Sequence, residues 1–419
     1  MNLLLKSVTI LDPQSAHHNK KRDILITNGV FEKIAAKIEN PNKRKEIKLD
    51  NLHISQGWFD SSVSFGEPGF EERETIENGL RTAAMSGFTA VAVNANTNPV
   101  IDSKADIQFI TSKDTNNAVT LYPIGALTNK GNGIDLAELF DMKNAGAIAF
   151  YDYQKQVKNP NLLKIALQYT QDFDGLVIAF SQENDIATNG VMNEEESSTK
   201  LGLKGIAALA EELDINRNIF ILEYTGGKLH IPTISTKKSV ALLREAKAKG
   251  LDITCSVSIN NLVMTDDALA TFNSNLKILP PLRTKEDVKE LMKGLRDGTI
   301  DGVTSDHNPI DIEHKKIEFD HALFGSIGLE SCFGALNTVF TAEESILFLN
   351  RLKERFSIPQ SPIKEGENVN ITLFNPDQEW TFEEKDILST SKNAALLGHK
   401  LKGKAYGVYA NKTLMLQTK

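Results

Sequence analysis

The side chains best suited to chemistry in this chain are an aspartate and a histidine, Asp306 and His307, that follow an apolar stretch. In such a pair the carboxylate can act as a general base, with the imidazole as a neighbouring polar group. The same pair can also be structural, with the aspartate capping a loop and the histidine hydrogen-bonded within the packing. The residues alone leave both interpretations open.

Metal-binding side chains are scarce and poorly spaced. The sequence has eight histidines and two cysteines, and it has no HxH or HExxH pair. Only His230 and His307 fall near the predicted end of a strand. The pattern typical of a zinc site is therefore missing. Cys255 lies within an apolar strand and is interpreted as a small core residue.

Short apolar strands alternate with amphipathic helices through the middle of the chain. Ile76, Leu80 and Ala83 recur at helical spacing, and residues 237–249 behave similarly. Strand–helix units that repeat over about 300 residues predict a (β/α)₈ TIM barrel, which belongs to the α/β class. The predicted strands lie at residues 57–60, 88–93, 119–124, 147–150, 176–180, within 219–234, at 253–257 and at 300–305.

Both ends of the chain have the alternating pattern of β-strands. It covers residues 3–11, 23–27 and 30–34 at one end and residues 370–374 and 406–416 at the other, and Asn28-Gly29 is a typical hairpin turn. Each terminal segment is too short to form its own core. We therefore expect residues 1–51 and 361–419 to form one small β-sandwich domain beside a barrel of residues 52–360.

The predicted barrel defines where a site should lie, because such barrels place chemistry at the C-terminal ends of their strands. The side chains expected at those ends are mainly hydroxyls and acids: Ser62, Ser64, Asp152, Ser181, Thr233 and Asp306.

Composition excludes several classes of partner. The net charge of −8 and the pI near 5.6 argue against nucleic acid or an anionic membrane. No apolar stretch approaches the roughly 20 residues needed to span a bilayer. The N-terminal MNLLLKSVTILD is interpreted as a first strand, not a signal peptide. Two cysteines do not make a disulfide framework and fit a reducing compartment, so a cytoplasmic location is expected.

A run of motifs along nearly the whole chain resembles the dihydroorotase family of the amidohydrolase superfamily. The segment 57–69, GWFDSSVSFGEPG, is similar to the family's opening, D-x-H-x-H-x-R-E-P-G. The other matching segments are 74–79 (ETIENG), 96–99 (NTNP), 122–126 (YPIGA), 192–194 (MNE), 201–206 (LGLKGI), 280–283 (PPLR), 297–301 (DGTID) and 324–330 (FGSIGLE). The resemblance implies a TIM barrel, a zinc-dependent cyclic-amide hydrolase activity and a role in pyrimidine biosynthesis.

The departures from the family pattern fall on the metal ligands. By the resemblance, the four zinc-binding histidines correspond to hydroxyl residues: Ser62, Ser64, Ser181 and Thr233. The strand-four acid lies near Asp152, where the local match is loose. Asp306 alone is plainly kept. A serine hydroxyl is a poor zinc ligand at neutral pH, so the sequence predicts that no zinc cofactor is held.

Substrate-binding positions have changed as well. The family arginine that meets the substrate carboxylate corresponds to Gly66, and two further contact positions correspond to Leu279 and Ile310. Asn96 is the one carboxylate-binding position that survives, although turn chemistry in Asn-Thr-Asn-Pro also explains it. Glu330 is interpreted as a helix-start residue, and His230 as structural.

Three functions remain open. The first is a pseudoenzyme with a structural or regulatory role, either as a homodimer or in an assembly with aspartate carbamoyltransferase, for which the family has a metal-less precedent. The second is an active dihydroorotase or other cyclic-amide hydrolase with a non-standard or metal-free site that uses Asp306. The third is a module that senses a pyrimidine intermediate without converting it. Without a metal, the attacking water keeps its high pKa, whereas a bound metal would lower that pKa to about 7; this difference favours the first function.

Overall fold

The chain alternates strands with helices through its middle and has strands at both ends. A computed structural model describes residues 2–41, 43–113 and 117–417. The strands are β1 Leu3–Ile10, β2 Lys21–Thr27, β3 Val30–Ala35, β4 Lys45–Ile47, β5 His53–Gln56, β6 Trp58–Val63, β7 Phe88–Val93, β8 Thr120–Gly125, β9 Ala149–Tyr151, β10 Leu176–Ile178, β11 Met192–Asn193, β12 Gly205–Ile206, β13 Lys228–Ile231, β14 Ile253–Ser258, β15 Gly302–Thr304, β16 Ile371–Thr381, β17 Lys400–Ala410 and β18 Thr413–Leu416.

The helices begin where the sequence offers capping side chains. Thr75 caps the first helix through its side chain, and Thr284 forms a capping box with Asp287. The α-helices are α1 Ile76–Met85, α2 Lys104–Ser112, α3 Leu139–Ala145, α4 Pro160–Thr170, α5 Asn184–Ala187, α6 Glu196–Leu201, α7 Ala208–Thr225, α8 Lys237–Ala248, α9 Ile259–Val263, α10 Lys285–Asp297, α11 Ile312–Lys315, α12 Leu329–Val339, α13 Ala342–Asn350 and α14 Leu352–Arg355. Short 3₁₀ turns cover Asn129–Gly131, Gln171–Phe173, Asp266–Thr271, Ser274–Leu276 and Glu384–Asp386.

Eight parallel strands form a nearly closed barrel, which confirms the predicted fold class. Their order is β6, β7, β8, β9, β10, β13, β14 and β15. A parallel bridge from Val63 to His307 joins the ends of the first and last strands. Every residue of β6 and β7 is buried, as expected for parallel strands covered on both faces.

The sixth barrel strand is shorter than the sequence suggested. Residues 219–225, within the predicted strand region, belong to α7, and β13 starts only at Lys228. Ile219, Phe220, Ile221 and Leu222 form a continuous apolar run, and such a run does not distinguish a strand from a helix by its periodicity.

The strands from both chain ends form one mixed sheet, as predicted. Its order is β18, β17, β16, β5, β1, β2 and β3, with β4 paired to β1. The antiparallel pairing of β16 with β5 brings the C-terminal segment to the N-terminal one. The residue boundaries of the two domains, 51/52 and 360/361, stay a prediction.

The terminal sheet fixes the first barrel strand in place. The Trp58 ring, at the start of β6, lies 4.4 Å from the Phe333 ring and 5.5 Å from the Phe374 ring of β16. Its indole N–H donates to Ser55 at 2.9 Å. These buried aromatic contacts fix the start of β6, the strand that contains Ser62, against α12 and β16.

Within the part of the chain that the structure describes, no helix is both long and apolar enough to cross a membrane.

Candidate active site at the barrel mouth

Asp306 lies at the centre of the barrel mouth, directly after β15, in a left-handed backbone conformation with φ of 47°. Its Oδ1 accepts hydrogen bonds from the Ser62 hydroxyl at 3.1 Å and the Tyr153 hydroxyl at 3.3 Å. Its Oδ2 lies 3.5 Å from the Gln154 side-chain amide. The carboxylate is therefore surrounded by neutral donors from strands on both sides of the mouth.

These donors belong to one hydrogen-bonded network. The Asn94 amide, at the end of β7, donates to the Ser62 hydroxyl at 3.1 Å and to the Ser64 hydroxyl at 3.3 Å. Ser64 lies near enough to Tyr153 to lower the pKa of the phenol. Gln154 in turn donates to the Leu279 carbonyl at 2.8 Å. The polar groups at the mouth thus form hydrogen bonds with one another across β6, β7, β9 and the loop after β14.

The electrostatics of the mouth favour a neutral Asp306. Loss of hydration raises its pKa to about 7, and the nearby charge of Asp60 adds to the rise, while the bond from Ser62 opposes it. Burial likewise raises the pKa of Asp60, against hydrogen bonds from Thr304 and Ser305. Burial also raises the pKa of Tyr153 well above its usual value. No ion pair to Asp306 is found among the described residues.

Asp152, expected at the site, points away from it. Its Oδ1 accepts from the Leu127 and Thr128 backbone N–H groups at 2.9 and 3.0 Å, and its Oδ2 from the Thr128 hydroxyl at 2.5 Å. The next residue, Tyr153, contacts Asp306 instead. Successive side chains on a strand point to opposite faces. Moving the loose strand-four match by one residue therefore places the phenol of Tyr153 at the site instead of the carboxylate of Asp152.

Ser181 and Thr233 are also hydrogen-bonded as neutral groups. The Ser181 hydroxyl accepts from the Asn218 amide at 3.3 Å. The Thr233 backbone N–H donates to the Ser256 hydroxyl at 3.2 Å, and its φ of 47° matches that of Asp306. All four positions that correspond to family histidines therefore lie at strand ends as hydroxyls.

The two strand-end histidines are used inside the protein. His230 contacts the Thr254 hydroxyl at 2.9 Å and the Ser256 hydroxyl at 3.2 Å, and burial lowers its pKa well below the usual value. His307 accepts the Gly328 N–H on Nδ1 at 3.2 Å, and burial lowers its pKa to about 4. Both are neutral at pH 7, and His307 does not act as the charged neighbour of Asp306.

The positions that the family resemblance relates to substrate binding differ from the family pattern in shape as well as in chemistry. A Cβ added at Gly66 would lie 1.8 Å from the Phe70 carbonyl oxygen, so no side chain fits there without moving the loop. Asn96 is half-buried after β7, and its side-chain oxygen has no partner among the described residues. Ile310 is buried. Gly66, Asn96 and Ile310 thus offer one amide and no cation to an acidic ligand.

Glu330 lies in the first turn of α12, but its carboxylate does not cap that helix as predicted. It accepts the backbone N–H groups of Leu388 and Ser389 at 3.2 and 2.9 Å. The retained glutamate therefore anchors the loop that leads into β17.

Several site residues were not found by sequence reasoning. Tyr153, Gln154, Asn94 and Asp60 all take part in the network. Asn94 carried a usable signal, because it is the first polar residue after the apolar strand Phe88–Val93. Tyr153 and Gln154 had none, since only the fold brings them to Asp306.

The residues present do not fit zinc. Zinc sites use imidazole, thiolate or carboxylate ligands, usually four of them. Among residues 2–41, 43–113 and 117–417, no cluster of three His, Cys, Asp or Glu side chains is placed to hold a metal ion. Among the described residues, Asp306 is the carboxylate that the Ser62 and Tyr153 hydroxyls contact, and neutral hydroxyls are poor zinc ligands.

Comparisons with known proteins agree with this architecture. L-hydantoinase (dihydropyrimidinase) from Arthrobacter aurescens superposes with a TM-score of 0.83 at 18% identity, covering 99% of this chain and 97% of that one. D-hydantoinase from Thermus sp. superposes with a TM-score of 0.80, also at 18% identity, covering 99% and 97%. The barrel with a β-sandwich of both termini is therefore a fold class that this chain shares with these hydantoinases.

Sequence comparison identifies the family within that class. The dihydroorotase of Pelotomaculum thermopropionicum is 37% identical over 424 residues, covering 100% of this chain and 99% of the relative. That of Geotalea daltonii is 36% identical over 414 residues, covering 97% of each. A family model described as dihydro-orotase-like matches residues 53–239. The chain belongs to the dihydroorotase family.

Proposed function

We propose that this chain is a catalytically silent member of the dihydroorotase family with a structural or regulatory role in pyrimidine biosynthesis. One observation carries the proposal: the Asp306 carboxylate accepts hydrogen bonds from the neutral hydroxyls of Ser62 and Tyr153. Hydrolysis of a cyclic amide adds water to the carbonyl carbon, breaks the ring C–N bond and protonates the nitrogen. Neutral hydroxyls neither lower the pKa of the water nor polarise the carbonyl as a metal does.

The second candidate is a metal-free hydrolase. Its support is the pKa of Asp306 near 7, which gives a group able to accept and return a proton at neutral pH. The third candidate, a sensor of a pyrimidine intermediate, is supported by the unpartnered side-chain oxygens of Asn94 and Asn96. Neither arrangement supplies a cation for the carboxylate of such an intermediate, so we rank both candidates below the catalytically inactive protein.

Assays in both directions separate these candidates. We expect no dihydroorotate hydrolysis and no cyclisation of carbamoyl aspartate above the buffer rate, with about 10 µM protein and added zinc. A rate that persists when a chelator replaces the zinc, and that Asp306→Asn abolishes, would establish the metal-free hydrolase. Calorimetric binding of either compound without turnover would establish the sensor. Neither signal should appear if the barrel is silent.

The partner of a silent barrel is either a second copy or aspartate carbamoyltransferase, and a cytoplasmic location suits both. We expect the chain to sediment as a homodimer or to co-sediment with the transferase of the same organism. Stable contacts of this kind bury about 2,000 Å² or more. A chain that sediments as a monomer at about 20 µM and does not bind the transferase would contradict the proposed structural role.

A further inference from the structure

The terminal segments differ from the barrel in charge. Residues 1–51 and 361–419, which supply most of the terminal sheet, contain 18 Lys and Arg against 13 Asp and Glu, a formal net charge of +5. The remaining residues, 52–360, contain 29 against 42, a formal net charge of −13. The terminal segments therefore form a basic region in an acidic protein, and a basic region attracts anions.

A cavity lies beside β1 in this basic region. On one side β1 pairs with β4 near its start and with β5 near its end, so its middle has no parallel partner among the described residues. The cavity is lined by the connection from β4 to β5, residues 48–52, and by Ser7, Thr9 and Lys21. Its volume is about 390 Å³. Sites for small molecules usually have about 300–1,000 Å³, so the cavity is large enough for a metabolite.

A bulge in β1 turns two hydroxyl groups outwards at this cavity. Ser7 has a φ of 56°, and the register of β1 against β2 shifts between Leu5 and Val8. Beyond the bulge Val8 is buried, whereas Ser7 is exposed and Thr9 half-buried. The Ser7 N–H donates to the Asp23 carboxylate at 2.9 Å. A positive φ is uncommon for residues other than glycine, and bulges redirect side chains. The outward hydroxyls therefore result from a specific local structure.

Four polar side chains of the cavity have no partner inside the protein. The ammonium groups of Lys21 and Lys48 form no hydrogen bond or ion pair with the described residues. The hydroxyl groups of Ser7 and Thr9 form none either. Asp50 is the one carboxylate among the described residues that line the cavity. The cavity thus offers two cations and two neutral donors against a single negative charge.

We propose that this cavity binds the phosphate group of a small hydroxylated metabolite, such as a sugar phosphate. Lysine binds phosphate as a point charge, and a serine or threonine hydroxyl can donate to a further phosphate oxygen. Lys21 and Lys48 supply the charge, and Ser7 and Thr9 supply the hydroxyl donors. None of these residues belongs to the barrel mouth, so the inference does not depend on whether the mouth is catalytically inactive.

The rest of the cavity favours a ligand with hydroxyl groups. The cavity is many times larger than the roughly 30 Å³ that one water molecule fills, so it has room for more than a phosphate. Asp50 repels a phosphate but accepts hydrogen bonds from hydroxyl groups. The Asn51 amide N–H groups donate to Asn375 and Asp377, which leaves its side-chain oxygen as a second acceptor. A sugar phosphate matches both sets of groups.

Calorimetric titration with matched compounds tests the site. Sorbitol 6-phosphate is a suitable probe, because a sugar alcohol has no aldehyde that would react with lysine. The wild-type chain should bind it at low salt with a Kd of about 1 mM or tighter, and it should not bind sorbitol. Lys21→Glu and Lys48→Glu should each weaken this binding at least about ten-fold, because each replaces an attraction by a repulsion.

Two further variants separate the cavity from a general effect of charge. Lys33→Glu, at an exposed position of β3 outside the cavity, changes the net charge equally and should bind like the wild type. Thr9→Val removes one hydroxyl and should weaken binding by roughly two- to ten-fold. Circular dichroism should match the wild type for the three lysine variants, since Lys21, Lys33 and Lys48 are exposed.

Three results would overturn the proposal. The first is no binding of sorbitol 6-phosphate at about 10 mM. The second is binding that Lys33→Glu weakens as much as Lys21→Glu, because the overall charge and not the cavity would then attract the probe. The third is inorganic phosphate bound as tightly as sorbitol 6-phosphate, which would exclude recognition of a hydroxylated ligand.

Discussion

Simultaneous replacement of the four strand-end hydroxyl residues by histidine, together with Tyr153→Asp, should convert this chain into a zinc-binding protein. The four are Ser62, Ser64, Ser181 and Thr233. A complete set of ligands in a structural zinc site contributes about 10–16 kcal/mol, so each ligand provides about 3 kcal/mol on average. The variant should retain about one zinc per chain after dialysis without chelator, measured by plasma mass spectrometry.

The single variant Ser62→His is the matched control. It should remain well below one zinc per chain, because the other three positions stay hydroxyls and Tyr153 still occupies the Asp306 carboxylate. Circular dichroism verifies that each protein is folded. A folded five-residue variant without zinc, or a zinc-loaded Ser62→His, would show that ligand identity is not what separates this chain from a metal site.

Asp306→Asn should make the folded protein more stable at pH 8 by about 4 kcal/mol and leave its stability at pH 4 nearly unchanged. The folded-state pKa of Asp306 is raised to about 7 by burial, above the unfolded value near about 4. The folded state therefore holds a proton that the unfolded state has lost, and stability falls as pH rises from about 4 through 7. Asparagine cannot ionise and tolerates the positive φ, so it removes this loss. Urea unfolding at the two pH values measures it.

Asp174→Asn is the control for this pH effect. Asp174 has a similar φ of 55° but is exposed, and a hydrogen bond from Lys228 lowers its pKa. Its replacement should leave stability unchanged or lower it slightly at pH 8, the opposite sign. An Asp306→Asn protein that is less stable than the wild type at pH 8 would mean that the carboxylate is better solvated than the mouth geometry indicates.

The fold was accessible from the sequence because its signals are local. Apolar strands and capped helices alternate over the same residues in the pattern and in the structure, as at β7 (Phe88–Val93). The exception, residues 219–225, is a helix with apolar side chains on two faces. Pattern reasoning takes such a segment for a buried strand, because its exposed apolar face has no counterpart in an ordinary surface helix.

Retained family motifs prove to be the ones that hold loops together. Arg283, in the PPLR motif, is buried and donates to the Asn193 side chain and the Ile206 carbonyl, both at 2.7 Å. Glu330 anchors residues 388 and 389 in a similar way. These bonds explain why such motifs can persist while the residues at the mouth differ from the family pattern.

The candidate site was only partly accessible from the sequence. Strand-end positions such as Ser62 and Asp306 could be named from the barrel pattern and the family resemblance. The direction of a side chain at a strand end depends on one residue of register, so Asp152 was expected where Tyr153 lies. The partners of Asp306 come from distant parts of the chain, and no spacing predicts that meeting.

Zinc content of the wild-type chain tests the central claim most directly. The protein should be expressed with added zinc, purified without chelator and dialysed before plasma mass spectrometry. The hydroxyl network around Asp306 predicts well under one zinc per chain, with no gain from further addition of zinc. Stoichiometric zinc that Asp306→Asn or Ser62→Ala removes would contradict the account, because it would place a metal at a carboxylate whose other neighbours are neutral hydroxyls and an amide.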